Sequence, residues 1–133
     1  MAKINSFYDL DIWKKSRNFT KQIYQTTSSF PKSEDYGLKS QITRAAVSIM
    51  SNIAEGFHRY SKKEFINFLI ISRGSLAEVQ SHLFVALDLK YIKEQPFKEL
   101  YAESTDIFKK INALIKYLRT CQDYDYYKNN HGK

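Results

Sequence analysis

Two series of polar side chains carry the spacing that chemistry on a helix requires. Gln41, Arg44, Ser48, Asn52, Glu55 and Arg59 recur at steps of three and four, which puts them on one helix face. Glu64, Asn67, Ser75 and Glu78, with Ile71 among them, follow the same rule on a second face. Folding the two segments about residue 60 sets Asn52 opposite Asn67 and Ser48 opposite Ile71 or Ser75. It also brings Arg44 and Gln41 within reach of Glu78. The spacing therefore predicts an Arg44–Glu78 ion pair, amide contacts around Asn52, and close backbone approach at the small residues Ser48, Gly74 and Ser75. Such a polar seam can line a binding groove. It can equally do no more than set helix register, as buried polar residues do in other bundles.

The seam does not assemble a reactive set. No histidine is expected one helical turn from Glu55, Glu64 or Glu78 in a Glu-x-x-His pair, so the di-iron bundle pattern is expected to be absent. His58, His82 and His131 lie far apart along the chain and do not converge as metal ligands. Cys121 is the one cysteine, which excludes a disulfide framework and a cysteine-based zinc site. Arg73-Gly74-Ser75 falls inside a helical stretch, so it is not a phosphate-cradling loop. The expectation is a protein that is not an enzyme and that holds no metal or cofactor.

Four helical segments must position these residues. The first runs from about Asp9 to Ser28, with Leu10, Trp13, Thr20, Ile23, Tyr24 and Thr27 at helical spacing and Phe30-Pro31 as its stop. The second runs from Leu38 to about Phe57 after a Ser33-Glu34-Asp35 entry, and carries two adjoining apolar stripes. Ser61-Lys62-Lys63-Glu64 is a capping box that opens the third. That helix should end around Lys90, roughly 42 Å away at 1.5 Å per residue. The fourth begins at Pro96, a favoured first helical residue, and frays near Thr120 or Cys121. Short connections and one amphipathic stripe per segment predict an all-α fold, an antiparallel up-and-down four-helix bundle over residues 7–121. Residues 122–133 form a polar C-terminal tail, expected to be mobile.

The chain has 133 residues, 43% of them hydrophobic and 26% charged, with 4 glycines and 2 prolines. That is globular chemistry, too poor in turn residues for an all-β fold. No apolar run reaches the ~18 residues of a membrane span, and the start of the chain lacks the apolar core of a secretion signal, so a cytoplasmic protein with no membrane contact is expected. Lys and Arg total 21 against 14 Asp and Glu, a net charge of +7. A basic surface attracts polyanions, because phosphate contacts release counterions. Lys14, Lys15, Arg17 and Lys21 on the first helix, and Lys109, Lys110, Lys116 and Arg119 on the fourth, are the candidate phosphate contacts. Surplus apolar positions Ile66, Ile70, Ala77 and Phe84 on the third helix, with the aromatics Tyr8, Phe19 and Tyr101, point to association with further copies.

Several strings resemble one family. They are Phe30-Pro31, Glu34, Tyr36-Gly37-Leu38, Gln41, Arg44-Ala45-Ala46-Val47-Ser48-Ile49, Asn52-Ile53-Ala54-Glu55-Gly56, Arg59, Glu64-Phe65, Phe68-Leu69 and Gly74-Ser75-Leu76 with Glu78. Together they resemble the four-helix-bundle proteins encoded in intervening sequences of bacterial 23S ribosomal RNA genes. They are also similar to the accessory protein of diversity-generating retroelements. The resemblance implies an up-and-down bundle assembling as a homopentamer with a central passage and basic outer surfaces, and no enzymatic activity. From the retroelement relative it implies binding to RNA or DNA and, where one is encoded nearby, to a reverse transcriptase. It also implies that the motif residues mostly face the bundle interior. The function expected is non-catalytic nucleic-acid binding by an oligomer, RNA preferred; the alternative is a protein–protein interaction scaffold.

Overall fold

The computed structural model describes residues 4–121. The polar tail expected over residues 122–133 lies outside the described residues, as does His131. Four helices, α1 (Asp11–Thr27), α2 (Leu38–Phe57), α3 (Lys62–Asp88) and α4 (Glu94–Thr120), follow one another with short connections. Among the described residues there is no strand. Each helix packs on its neighbours in a closed order, α1 on α2, α2 on α3, α3 on α4 and α4 on α1, as an up-and-down bundle requires.

The helix ends show which local chemistry won. α1 starts later than Asp9, because Phe7–Asp9 forms a separate 3-10 turn. The Asp9 carboxylate is occupied there, accepting from the backbone N–H groups of Asn5 (2.9 Å) and Ser6 (3.1 Å). α2 begins at Leu38 because Glu34 reaches forward: its Oε1 accepts from the Leu38 N–H at 3.0 Å. Its other oxygen accepts from the Tyr91 hydroxyl at 2.9 Å, tying the start of α2 to the α3–α4 connection. Gly37 fits under that carboxylate, since a Cβ there would lie 2.6 Å from Glu34 Oε1. Ser61 caps α3 by accepting from the Glu64 N–H at 3.3 Å. Pro96 is the third residue of α4, not the first; its missing N–H is still among the four that a helix start leaves unbonded.

Neither the α2–α3 turn nor the α3–α4 turn takes a glycine at its left-handed residue. Tyr60 (φ 54°) and Lys90 (φ 62°) supply the left-handed residues, where glycine is the usual choice. At the end of α3, Tyr91 N–H bonds Ala86 C=O and Lys90 N–H bonds Leu87 C=O, the paired closure of a Schellman stop.

The core draws on all four helices, with Phe19, Ile23, Ile42, Ile49, Ile53, Leu69, Leu76, Leu83, Ile107 and Ile111 almost wholly buried. Phe19, expected among the surplus aromatics, is in this core, whereas Tyr24, expected in the α1 stripe, is exposed. The buried face of α1 is set by Ile12, Ser16, Phe19 and Ile23, one residue round from the Trp13–Tyr24 line. Buried hydroxyls are bonded, as burial demands: Thr20 donates to Ala46 C=O (3.1 Å) and Ser72 to Ile49 C=O (2.5 Å).

Candidate nucleic-acid interface

The polar seam lies on the outside of the α2–α3 pair. The Ser48 and Ser75 hydroxyls meet at 2.8 Å, which selects Ser75 over Ile71, the two partners that a fold about residue 60 allowed. Asn52 turns back along its own helix, donating to Ser48 C=O (2.8 Å) and Oγ (2.9 Å), and makes no amide contact with Asn67. The Arg44–Glu78 ion pair does not form. Both side chains are exposed, and water solvates them at no entropic cost. Gln41, Asn67 and Glu78 stand in solvent as well. Arg59 is engaged instead, with Glu55 at 2.7 Å and Glu64 at 3.7 Å.

Of the small residues where close approach was expected, Ser48 and Ser75 meet but Gly74 does not take part. A Cβ on Gly74 would meet nothing within 4 Å, whereas one on Gly56 would lie 2.6 Å from Phe68 Cβ and 3.1 Å from Phe65 Cδ1. Gly56 is therefore the position where α2 and α3 come together, and Gly74 is an open glycine on an outward face. Most motif residues are buried or half-buried, as expected, but Arg44, Val47, Glu55, Gly74 and Glu78 are exposed and point out of the bundle. Ile71 (51% exposed) and Val47 (38%) add apolar surface to that face.

His82 Nε2 is shut off from solvent without a hydrogen-bond partner among the described residues. The nearest carboxylate oxygen, Glu78 Oε1, is 4.0 Å away, beyond hydrogen-bond reach. Glu55 and His58 do stand at Glu-x-x-His spacing, a pair missed in the sequence. It is a single pair, and Arg59 holds its carboxylate. Among the described residues no three His, Cys, Asp or Glu side chains gather as a metal site.

The cationic series divides in two. Lys15 pairs with Asp106 at 3.9 Å and Lys110 with Asp11 at 3.9 Å, both across the contact of α1 with α4. Glu103 lies one turn further along the same contact, accepting from Gln22 at 3.0 Å and Asn18 at 3.5 Å. Lys14, Lys15, Asn18, Glu103, Asp106 and Ile107 line an open groove of about 210 Å³. Mixed charge makes its floor a poor phosphate seat. Around it the balance changes. Lys14, Arg17, Lys21, Lys109, Lys116 and Arg119 are exposed, and among the described residues none has an acidic partner. Arg17 rests 5.7 Å over the Trp13 ring. Charge counting in the sequence could find all eight cations; only the packing of α1 against α4 separates the paired from the unpaired.

Comparison with known proteins bears on the whole bundle. The family model described as 23S rRNA-intervening sequence protein matches residues 8–113. A crystal structure of a protein of unknown function from the S23 ribosomal protein family of Bacteroides thetaiotaomicron VPI-5482 is similar, with 27% identity and a TM-score of 0.71. The match covers 79% of this chain and 98% of that one. No curated protein matches. Among the described residues no helix is long and apolar enough to cross a membrane.

Proposed function

The chain belongs to the 23S rRNA-intervening sequence protein family, and from that premise we propose that it is a non-catalytic, oligomeric protein that binds nucleic acid, RNA foremost, through the outer faces of α1 and α4. The observation that carries this reading is the set of six exposed cations without acidic partners, three on each of two adjoining helices. Each contact with a phosphate adds affinity through counterion release. Copies of the face arranged around a ring multiply weak contacts.

Assembly from identical subunits, five by the family likeness, belongs to the same proposal. Its support is the outer α2–α3 face, where Val47 and Ile71 are exposed beside an open glycine in mid-helix. Gly74 weakens α3 by about 1 kcal/mol relative to alanine and receives no packing from its own chain in return. Kinship with retroelement accessory proteins, and a reverse transcriptase as partner, is a narrower form of the proposal that depends on the gene's neighbours.

The test is titration with structured RNA and with duplex DNA at two salt concentrations, beside light scattering of the free protein. The expected result is binding at low salt that weakens steeply as salt rises, with a shallower slope in a Lys14→Glu, Lys21→Glu, Lys116→Glu variant. Absence of binding at low salt overturns the nucleic-acid reading; a monomer by scattering overturns the assembly.

A further inference from the structure

One end of the bundle gathers aromatic rings as well as cations. The His58–Tyr60 turn between α2 and α3, the turn at Phe7–Asp9 and the end of α4 all meet there. Phe7 makes edge-to-face contact with His58 (5.7 Å), and Lys62 Nζ donates to Cys121 C=O at 3.3 Å. Phe7 is the hub, edge-to-face with Tyr8 at 5.5 Å and Trp13 at 5.0 Å. On the other side His58 packs edge-to-face on Tyr60 at 5.8 Å, its Nδ1 lying 3.1 Å from the Tyr60 hydroxyl. Tyr60 holds a left-handed backbone, φ 54°, which costs a residue with a Cβ on the order of 1 kcal/mol. The outermost rings remain open to solvent: Tyr8 is 56% exposed, and His58 is exposed too.

The acids at this end are occupied. Asp9 serves its own turn, Asp11 pairs with Lys110, and Glu55 and Glu64 share Arg59. Arg17, Lys63, Lys116 and Arg119 have no such partner among the described residues and are exposed. Exposed rings held in place by their neighbours, ringed by uncompensated cations, have the chemistry of a stacking platform for bases whose phosphates lie alongside. A duplex keeps its bases stacked on one another and presents phosphates alone.

We infer that the aromatic end formed by Tyr8, Trp13, His58 and Tyr60 stacks unpaired bases, so that the nucleic acid this protein takes is single-stranded or looped RNA and not continuous duplex. The inference rests on the nucleic-acid reading above and narrows its ligand. Rings already fixed in place lose little freedom on binding.

The experiment compares a short labelled oligouridylate with an RNA duplex of equal length, using the full chain and following both anisotropy and Trp13 fluorescence. Tyr8→Leu keeps apolar area at an exposed site and removes the aromatic face. It is expected to weaken oligouridylate binding about five- to a hundredfold, the range for losing one stacked base, with duplex binding and the salt slope unchanged. Trp13 fluorescence should change with oligouridylate and not with duplex. Equal affinity of Tyr8→Leu and wild type for oligouridylate overturns the platform while leaving the cationic reading standing. Equal losses for oligouridylate and duplex overturn it too. Failure of the wild type to bind either RNA at low salt removes both. A circular-dichroism melt of Tyr8→Leu matching wild type shows that the loss is not unfolding.

Discussion

The α2–α3 pair and the α1–α4 pair are neighbours in the same bundle and are held by different physics. α2 and α3 meet backbone to side chain: Gly56 sits under Phe65 and Phe68, Ser72 bonds Ile49 C=O, and Ser48 touches Ser75. α1 and α4 meet around a polar groove bridged by Lys15–Asp106 and the Glu103 amide contacts, with the Lys110–Asp11 pair beside it. The first contact is short-range packing, which tolerates almost no added volume. The second is a set of part-exposed ion pairs, each worth under about 1 kcal/mol and weakened by salt. One side of the molecule is thus fixed and the other adaptable, and the unpaired cations proposed to bind phosphate flank the adaptable one.

Substitutions can break this contrast. Gly56→Ala is expected to have the largest effect. Overpacking costs about 1–3 kcal/mol; a Cβ 2.6 Å from Phe68 Cβ belongs at the upper end of that range, and after the gain in helix propensity of about 1 kcal/mol urea denaturation should show a net loss of about 2 kcal/mol. An unchanged midpoint would mean that α2 and α3 are looser than described. Glu34→Ala removes the carboxylate that caps α2 and should cost about 1 kcal/mol, as losing a helix cap does; its thermal midpoint should fall. Gly74→Ala should act in the opposite direction, adding about 0.5–1 kcal/mol to the subunit, because the new methyl meets nothing in its own chain. The same variant read by light scattering asks whether another copy approaches there. Asp106→Ala, which removes the ion pair with Lys15 on the α1–α4 side, should shift stability by less than about 0.5 kcal/mol, with the shift vanishing in high salt.

The smallest effect is a pH dependence at the far end of the bundle. The hydrogen bond that Tyr91 donates to Glu34 holds the phenol's pKa above its ordinary 10.0, with burial and the carboxylate's charge adding in the same direction. Donation needs the protonated phenol. The contribution is therefore whole below about pH 10, the unfolded value, and is lost as pH rises through the higher folded value. Urea midpoints followed from neutral to strongly alkaline pH should fall more steeply for wild type than for Tyr91→Phe. Parallel curves would show that the bond does not persist in solution.

The helix pairing was legible where the chain is short between elements. The turn at residues 58–60 makes α2 and α3 antiparallel, so spacing alone could place Ser48 near Ile71 or Ser75, and the packing chose Ser75. Side-chain partners on the surface were not legible. Arg44 and Glu78 were level and opposite in sign, yet solvent outcompeted the pair, and Asn52 found a closer acceptor in its own helix. Glycine roles were exchanged for a related reason: spacing shows that Gly56 and Gly74 are helical, but the distance to the next helix is not a property of either helix. The paired state of Lys15 and Lys110 was hidden too, since α1 and α4 are distant in the chain and no short turn fixes how they face.

What the sequence determined by itself is the set of four amphipathic helices, their order and their approximate ends, because stripe spacing, caps and prolines act within a few residues. Tertiary structure alone decided which cations remain free, which glycine lies under a phenylalanine, and that rings from the start of α1 and the turn after α2 form one cluster. Those outcomes depend on distances between segments far apart in the chain, and such distances are set only when all four helices share one core.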